Sequence, residues 1–113
     1  MNEDFSISIK EFDEYSVLSI FGDFVARNLI QIRQAIQDAL QNRNNHLFLD
    51  ISRVEKIDST GIGIIINTAR HLMESEKKLK LINPSLDIVE LLEMAIVDIH
   101  DSVENAKKAL SLI

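Results

Sequence analysis

Hydrophobic residues alternate with polar ones in the first third of the chain. Residues 5–12, "FSISIKEF", carry an apolar side chain at every second position at their start, a pattern that predicts a half-buried β-strand. Residues 15–22, "YSVLSIFG", are apolar on both faces and predict a more interior strand in a hairpin with the first. Residues 46–51, "HLFLDI", are nearly all apolar, which is typical of a central strand covered on both faces.

Two segments have the period of an α-helix instead. Residues 27–40 place their apolar side chains on one stripe and predict an amphipathic helix. Residues 60–75 contain a run of isoleucines, which favours a strand by propensity. Their spacing favours a helix, because apolar residues recur along one face over three turns. That predicted face consists of Ile62, Ile65, Ile66, Ala69, Leu72 and Met73.

The segment after residue 75 predicts another strand and a short helix. Residues 78–83, "KLKLIN", form the strand, and residues 87–95 form the helix. Asn83 can cap that helix, and Pro84 suits its first position.

The remaining segments are shorter. Residues 96–100 predict either a last short strand or an extended connection. Residues 101–112 predict a terminal helix, which Asp101 and Glu104 would begin with the spacing of a capping box. The polar residues 41–45, "QNRNN", predict the end of the first helix, because Asn tolerates the left-handed conformation.

The order of these elements predicts an α/β fold. After the initial hairpin, strands alternate with helices, which indicates a mixed, mostly parallel sheet of four to five strands with four helices. We expect residues 1–113 to form a single domain. The turn at residues 57–61, "IDSTG", leaves the carboxyl end of a parallel strand and opens a helix, where open α/β sheets usually carry their functional groups.

Charge and composition narrow the classes of function. The net charge of −6 argues against nucleic-acid binding and fits a soluble monomer or weak dimer. The absence of cysteine excludes thiolate metal sites and favours a cytoplasmic protein. The apolar runs are too short for a membrane span, and the acidic start is unlike a signal peptide. The histidines His46, His71 and His100 are scattered, so we expect no metal site.

The turn at 57–61 has three competing explanations. The first is a helix cap, supplied by Asp58 or Ser59. One cap needs one acceptor oxygen, however, and the turn offers several. It also carries Gly61 and Gly63, each of which costs a helix about 1 kcal/mol relative to Ala. Glycines at these positions make sense if the sheet or another chain must approach closely.

The second explanation is catalysis, and the residues fit it poorly. A nucleophile elbow needs Gly two residues before its serine, where this chain has Ile57. An aspartic protease half would read Asp-Ser-Gly or Asp-Thr-Gly, whereas here Thr60 separates Ser59 from Gly61. A Walker loop is absent. We therefore expect no catalytic residues and no enzyme.

The third explanation is a hydroxyl that another protein modifies. A serine at a helix N-terminus can carry phosphate, because the exposed amides and the helix dipole stabilise an anion. The added charge would act mainly on a partner packed over the turn. Ile64 supports a contact surface, because its spacing places it with Asn67 and His71 on the face opposite the predicted apolar stripe.

Residues 47–72, "LFLDISRVEKIDSTGIGIIINTARHL", resemble bacterial anti-sigma factor antagonists of the STAS domain class. The motif is a strand ending in Leu-Asp-Ile-Ser, a spacer, and Asp-Ser-Thr-Gly-Ile-Gly opening a helix. "LKLINPS" and the elements after it continue the resemblance, which covers essentially the whole chain.

The resemblance implies a partner-switching protein that regulates transcription. Unmodified members bind an anti-sigma factor that is also a serine kinase with a histidine-kinase-like ATPase fold. The kinase phosphorylates the serine after the aspartate, here Ser59, and is released; a metal-dependent phosphatase reverses the step. ATP and magnesium would belong to the kinase, so no cofactor is expected in this chain. The predicted partner-binding residues are Asp23, Asp58, Ser59, Thr60, Gly61, Ile62, Gly63, Ile64 and Asn67.

The chain departs from the family pattern at two positions. Val25 stands where the family often has an acid after the second strand, and Ala95 stands where a glycine is common. The alternatives are therefore a STAS scaffold or regulatory subunit with a partner outside the sigma system, in which Ser59 carries no switch, and a small-ligand binder that uses the same turn.

Overall fold

The computed structural model describes residues 5–42, 45–92 and 98–110. The strands are β1 (Ser6–Glu11), β2 (Tyr15–Phe21), β3 (His46–Arg53), β4 (Leu79–Ile82) and β5 (Asp98–His100). The helices are α1 (Leu29–Asn42), α2 (Ser59–Glu74), α3 (Leu86–Leu92) and α4 (Val103–Ala109), and a short 3₁₀ helix, Ala26–Asn28, precedes α1.

The five strands form one sheet in the order β1-β2-β3-β4-β5, which is also their order along the chain. β1 pairs with β2 antiparallel, and every later pair is parallel. The predicted hairpin and mostly parallel sheet are therefore confirmed. β5 confirms the strand alternative for the last segment.

The three crossover helices lie on one face of the sheet. The chain moves in the same direction across the sheet at each crossover, and right-handed connections then put every crossover helix on the same side. Their apolar residues share one core with alternate residues of the strands, such as Leu18, Leu49 and Leu81. Helix α4 covers part of the opposite face, where Ala106 packs with Phe48 and Ile82. β3 is thus covered on both faces, as its composition predicts.

Helix α2 has the predicted extent to within one residue, but its buried face matches the predicted stripe only in part, at Ile65 and Leu72. Its buried residues are Gly61, Ile64, Ile65, Thr68 and Leu72. Ile62 and Ala69, from the predicted stripe, are half-buried against the same core, whereas Met73 is 63% exposed, so its predicted burial is wrong. The buried face is turned because α2 packs against α1 as well as against the sheet.

Two predicted helix caps are also wrong. Helix α3 begins at Leu86, and its cap is Ser85, whose Oγ accepts from Ile88 N at 3.4 Å. Asn83 instead adopts a left-handed conformation with φ of 50°, so it turns the chain out of β4 and does not cap. In α4, Ser102 Oγ accepts from Asn105 N at 3.2 Å.

The Asp101 carboxylate, predicted to cap α4, accepts from the side-chain amide of Asn105 instead. Parts of some predictions lie outside the described residues: residues 43–44 of the predicted helix stop at 41–45, the turn containing Ala95, and residues 111–112 of the predicted terminal helix.

Candidate functional site

The candidate site lies at the edge of the sheet where the parallel strands end. The segment after β2 and the segment after β3 meet there in a single parallel bridge between Phe24 and Ile57. Phe24 N donates to Lys56 O at 2.8 Å, and Asp58 N donates to Phe24 O at 3.4 Å. The side chain of Phe24 is fully buried, which fixes the first segment against the second.

Asp58 uses both carboxylate oxygens to hold these two segments together. Its Oδ1 accepts from Gly61 N at 2.9 Å and caps α2, and its Oδ2 accepts from Ala26 N at 3.0 Å at the start of the 3₁₀ helix. Hydrogen bonds from the Gly61 and Ala26 amides lower the pKa of Asp58 below its ordinary value of 3.8. Between the two capping residues that the sequence left open, the structure selects Asp58 for the cap.

Gly61 is the point of closest approach between the helix and the segment after β2. A Cβ atom at Gly61 would lie 2.7 Å from a side-chain carbon of Phe24, 2.7 Å from one of Ile57, and nearer still to the Phe24 carbonyl oxygen. The expectation that the chain itself approaches a glycine closely is confirmed here. At Gly63 a Cβ would meet no atom within 4 Å, so this glycine leaves the helix backbone bare.

Ser59 is the first residue of α2, and its side chain is exposed. No hydrogen bond to its hydroxyl is found among the residues that the structure describes. Thr60 beside it is half-buried. Ser59, Gly63 and Asn67 are four residues apart, so they follow one another along the outer side of α2. The hydroxyl is therefore accessible to an enzyme.

The segment after β2 is held by its own polar contacts. Asn28, which is only 6% exposed, donates from Nδ2 to Asp23 O at 2.8 Å. The Asp23 carboxylate faces Arg27 at 3.6 Å. Val25 is half-buried and makes no side-chain cap for the 3₁₀ helix. The amide of Ala26 is bonded to Asp58 instead, so the carboxylate that caps α2 also serves this turn.

Ile64 does not belong to an exposed contact face. Ile64, Asn67 and His71 do share one side of α2, as their spacing predicts, but that side is turned towards α1. The Ile64 side chain is 9% exposed and lies in the core. The interpretation of Ile64 as an exposed partner contact is wrong, because the sequence spacing showed no second helix beside α2. Asn67 remains exposed, and Ile62 is half-buried against the core.

Residues 7–104 match the protein-family model described as "Mlab, STAS domain". The chain belongs to the STAS domain family. No curated protein matches it. The fold and the element order that the sequence resemblance implied are those of this family.

Several solved structures share the fold at low sequence identity. The Thermotoga maritima protein TM1081 is 24% identical, with a TM-score of 0.81 over 93% of this chain and 94% of that one. The anti-sigma factor antagonist SpoIIAA in its unphosphorylated form is 22% identical, with a TM-score of 0.77 over 96% of this chain and 100% of that one. The Bacillus SpoIIAA in its phosphorylated form is 20% identical, with a TM-score of 0.74 over 93% and 99%.

Sequence reasoning missed several residues of this STAS site. Ala26 and Asn28 fix the segment after β2 through contacts that join residues distant in sequence or depend on burial. Leu86, at the start of α3, is 82% exposed, and Ile30, near the start of α1, is 83% exposed. Both follow loops at the same sheet edge as Ser59. The sequence does mark Leu86 and Ile30 as apolar, but periodicity cannot tell an exposed apolar residue from a buried one.

The described part of the STAS chain contains no group of His, Cys, Asp and Glu side chains that could hold a metal ion. None of the helices in the described ranges is long and apolar enough to cross a membrane. His46 begins β3, at the end of the strand opposite to the turn that carries Ser59, and its Nδ1 accepts from Lys78 N at 3.0 Å. Burial, with help from nearby lysines, lowers the pKa of His46 below 6.5.

Proposed function

We propose that this STAS domain is an anti-sigma factor antagonist gated by phosphorylation of Ser59. Unmodified, it binds an anti-sigma factor that is also a serine kinase of the histidine-kinase-like ATPase fold. Phosphorylated, it releases that partner, and a metal-dependent phosphatase restores binding. The observation that carries the proposal is the exposed Ser59 at the first position of α2, directly after the capping Asp58.

Similar structures support the same proposal. SpoIIAA, an anti-sigma factor antagonist, has been solved in unphosphorylated and phosphorylated forms, and both share this fold. The Asp-Ser-Thr-Gly turn of this chain begins α2 at the carboxyl edge of the sheet. ATP and magnesium would be carried by the kinase, and this chain would supply the acceptor hydroxyl.

A phosphate on Ser59 would act on the partner more than on the fold. It adds about −1.5 to −2 charges next to the ionised Asp58. Two unit charges 4 Å apart in water repel by about 1 kcal/mol. A helix N-terminus stabilises a nearby anion by about 0.3–1 kcal/mol. The two effects are opposite in sign, and for a phosphate their difference is on the order of 1 kcal/mol, which is small beside the roughly 5–15 kcal/mol that typically stabilises a folded domain, so α2 would persist. A partner packed over Ser59 would have to bury the new charge, which costs far more.

The surface around Ser59 suits a protein partner. The bare backbone at Gly63 lies one turn along α2 and permits close packing. Leu86 and Ile30 follow the loops on either side, since β2 and β4 flank β3 in the sheet. Exposed apolar side chains gathered at one edge of a protein often mark a protein-interaction surface.

The test measures how the cognate kinase binds and phosphorylates this protein. A gene for a kinase-like ATPase next to the gene for this protein would identify that kinase. Wild type, Ser59→Ala and Ser59→Asp are compared by titration calorimetry and by transfer of labelled phosphate from ATP. Thr60→Val is the matched control, since it removes the neighbouring hydroxyl. We expect Ser59→Ala to bind without accepting phosphate, Ser59→Asp to bind at least about tenfold more weakly, and Thr60→Val to behave as wild type.

Equal binding by wild type and Ser59→Asp would contradict the gating. Phosphate transfer to Thr60 in the Ser59→Ala variant would move the acceptor by one residue and contradict the assignment to Ser59. Thermal unfolding of each variant shows whether a loss of binding reflects a loss of fold.

A second candidate is a STAS scaffold or regulatory subunit without a phosphorylation switch. Two observations favour it: the matching family model is named for Mlab and not for an antagonist, and Val25 stands where the antagonist family often has an acid. Intact-mass measurement of the protein from its native host separates the candidates. A phosphorylated species in any growth state supports the switch, and its absence in all of them supports the scaffold.

A further inference from the structure

A groove of about 470 Å³ separates α1 from α2 on the helical face of the sheet. It lies along the side of α2 and does not include Ser59. Its floor is apolar: Ile36 and Ile64 are buried and Leu40 is half-buried. Its volume falls in the range of small-molecule sites, about 300–1,000 Å³.

The rim of the groove carries side chains that donate hydrogen bonds and no acidic side chain. The positively charged Arg33 and the amide side chains of Gln37, Gln41 and Asn67 line it together with His71, and all five residues are exposed. None of the described lining residues is Asp or Glu, although the whole chain carries a net charge of −6. Asp38, the acid on the same stretch of α1, is not among the lining residues and accepts from Gln34 at 3.0 Å. The groove is therefore a local exception to the acidic character of the chain.

The two walls of the groove run in the same direction. Helices α1 and α2 each follow one of two neighbouring parallel strands, so both start at the carboxyl edge of the sheet. Arg33 lies near the start of α1, whereas Gln41 and His71 lie about two turns further along. The lining residues of α1, from 33 to 41, span about 12 Å. The groove thus has a cation at the end nearer Ser59 and an apolar floor beyond it.

We propose that this groove binds a small organic anion with an apolar chain, a linear carboxylate of medium length. The carboxylate would pair with Arg33, and the chain would lie over Ile36, Leu40 and Ile64. A protein partner fits less well, because the apolar residues lie at the bottom of a concave site and none protrudes as an anchor. The inference depends on the groove alone and holds whether or not Ser59 is modified.

The test uses sodium decanoate as the probe on the whole chain, at concentrations below those at which the amphiphile aggregates. Decyltrimethylammonium has the same chain and the opposite charge, and a decamer of glutamate tests an acidic peptide. Binding is followed by thermal shift and by amide chemical shifts in NMR. We expect decanoate to raise the melting temperature and to shift amides of residues 33–41 and 64–71, with no effect from the other two compounds.

Two variants and a control test whether decanoate binds in this groove. Arg33→Gln should weaken decanoate binding about fivefold or more, and Gln37→Trp should abolish it by filling the groove. Arg70→Gln, an exposed residue of α2 that does not line the groove, should bind as wild type. Equal binding of decyltrimethylammonium, amide shifts elsewhere in the chain, no binding of decanoate, or binding of the glutamate peptide alone would each overturn the proposal.

Discussion

At the scale of single residues, one carboxylate accepts hydrogen bonds from the first turns of two different helices. Asp58 accepts from Gly61 at the start of α2 and from Ala26 at the start of the 3₁₀ helix, 32 residues earlier in the chain. The sequence predicts a cap for α2 at this turn, because capping is local, and leaves Asp58 and Ser59 as its two candidates. It cannot predict the contact with Ala26, because that contact exists only once the segments after β2 and β3 lie side by side.

Replacing Asp58 by Asn should therefore lower stability at neutral pH, because the amide has one acceptor oxygen and leaves one of the two N–H groups unpaired. The folded-state pKa of Asp58 is lowered, so its contribution is present above the ordinary value of 3.8 and is lost as the pH falls through the folded-state pKa. The difference in unfolding free energy between wild type and variant should therefore shrink as the pH falls below 3.8. Urea unfolding at a series of pH values measures this difference.

Asp38→Asn is the control for that experiment, since Asp38 is exposed on α1 and accepts from a glutamine side chain on its own helix. Its unfolding midpoint should match that of wild type at neutral pH. An Asp58→Asn variant as stable as wild type at pH 7 would mean that the shared carboxylate contributes nothing to the fold.

At the scale of elements, periodicity predicted where helices lie better than how they are oriented. The extent of α2 follows from its apolar spacing, which is a property of the segment itself. Its buried face depends on α1, so Ile64 is buried and Met73 is exposed, against prediction. The predictions that Asn83 and Asp101 cap their helices were wrong for a related reason. Several neighbouring side chains could cap, and the path of the chain into the helix selects Ser85 and Ser102.

The two glycines of α2 should respond in opposite directions to the same substitution. Gly61→Ala places a methyl group against Phe24 and Ile57 and should destabilise the fold by about 1–3 kcal/mol, the usual cost of overpacking. Gly63→Ala meets open space and should stabilise the fold by up to about 1 kcal/mol, the helix propensity difference. Chemical denaturation of the two variants and of wild type measures both changes in unfolding free energy.

If the proposed partner packs on the bare backbone at Gly63, the more stable Gly63→Ala variant should bind it more weakly. Each glycine serves as the control for the other, because the substitution and the helix are the same. Equal changes in unfolding free energy at the two positions would contradict the close approach at Gly61.

At the scale of the whole molecule, the proposed function depends on which end of the sheet a residue occupies. The sequence predicted the mostly parallel sheet, and parallel strands gather the turn at Ser59 and the loops before α1 and α3 at one edge. It could not predict that exposed apolar residues would flank Ser59 there, because exposure depends on the packed helices.

Leu86→Ser should weaken binding of the proposed kinase by about tenfold or more, since burying a leucine side chain contributes about 1.5–3 kcal/mol and tenfold in affinity is about 1.4 kcal/mol. The unfolding free energy should change by no more than about 0.5 kcal/mol, because Leu86 is 82% exposed. Met73→Ser is the matched control, because Met73 is 63% exposed near the end of α2, away from the carboxyl edge. Equal losses of affinity in the two variants would show that the surface is not confined to this edge.

The agreement between strand order and chain order has a consequence for synthesis on the ribosome. Each new strand finds its neighbour already made, so the sheet can grow during translation, beginning with the β1–β2 hairpin. The contacts of α4 with Phe48 and Ile82 are made only after the four strands before β5 have been synthesised. Until α4 emerges, Phe48 and Ile82 stay uncovered on this face of the sheet, and they are an apolar surface at which the nascent chain can aggregate or bind chaperones.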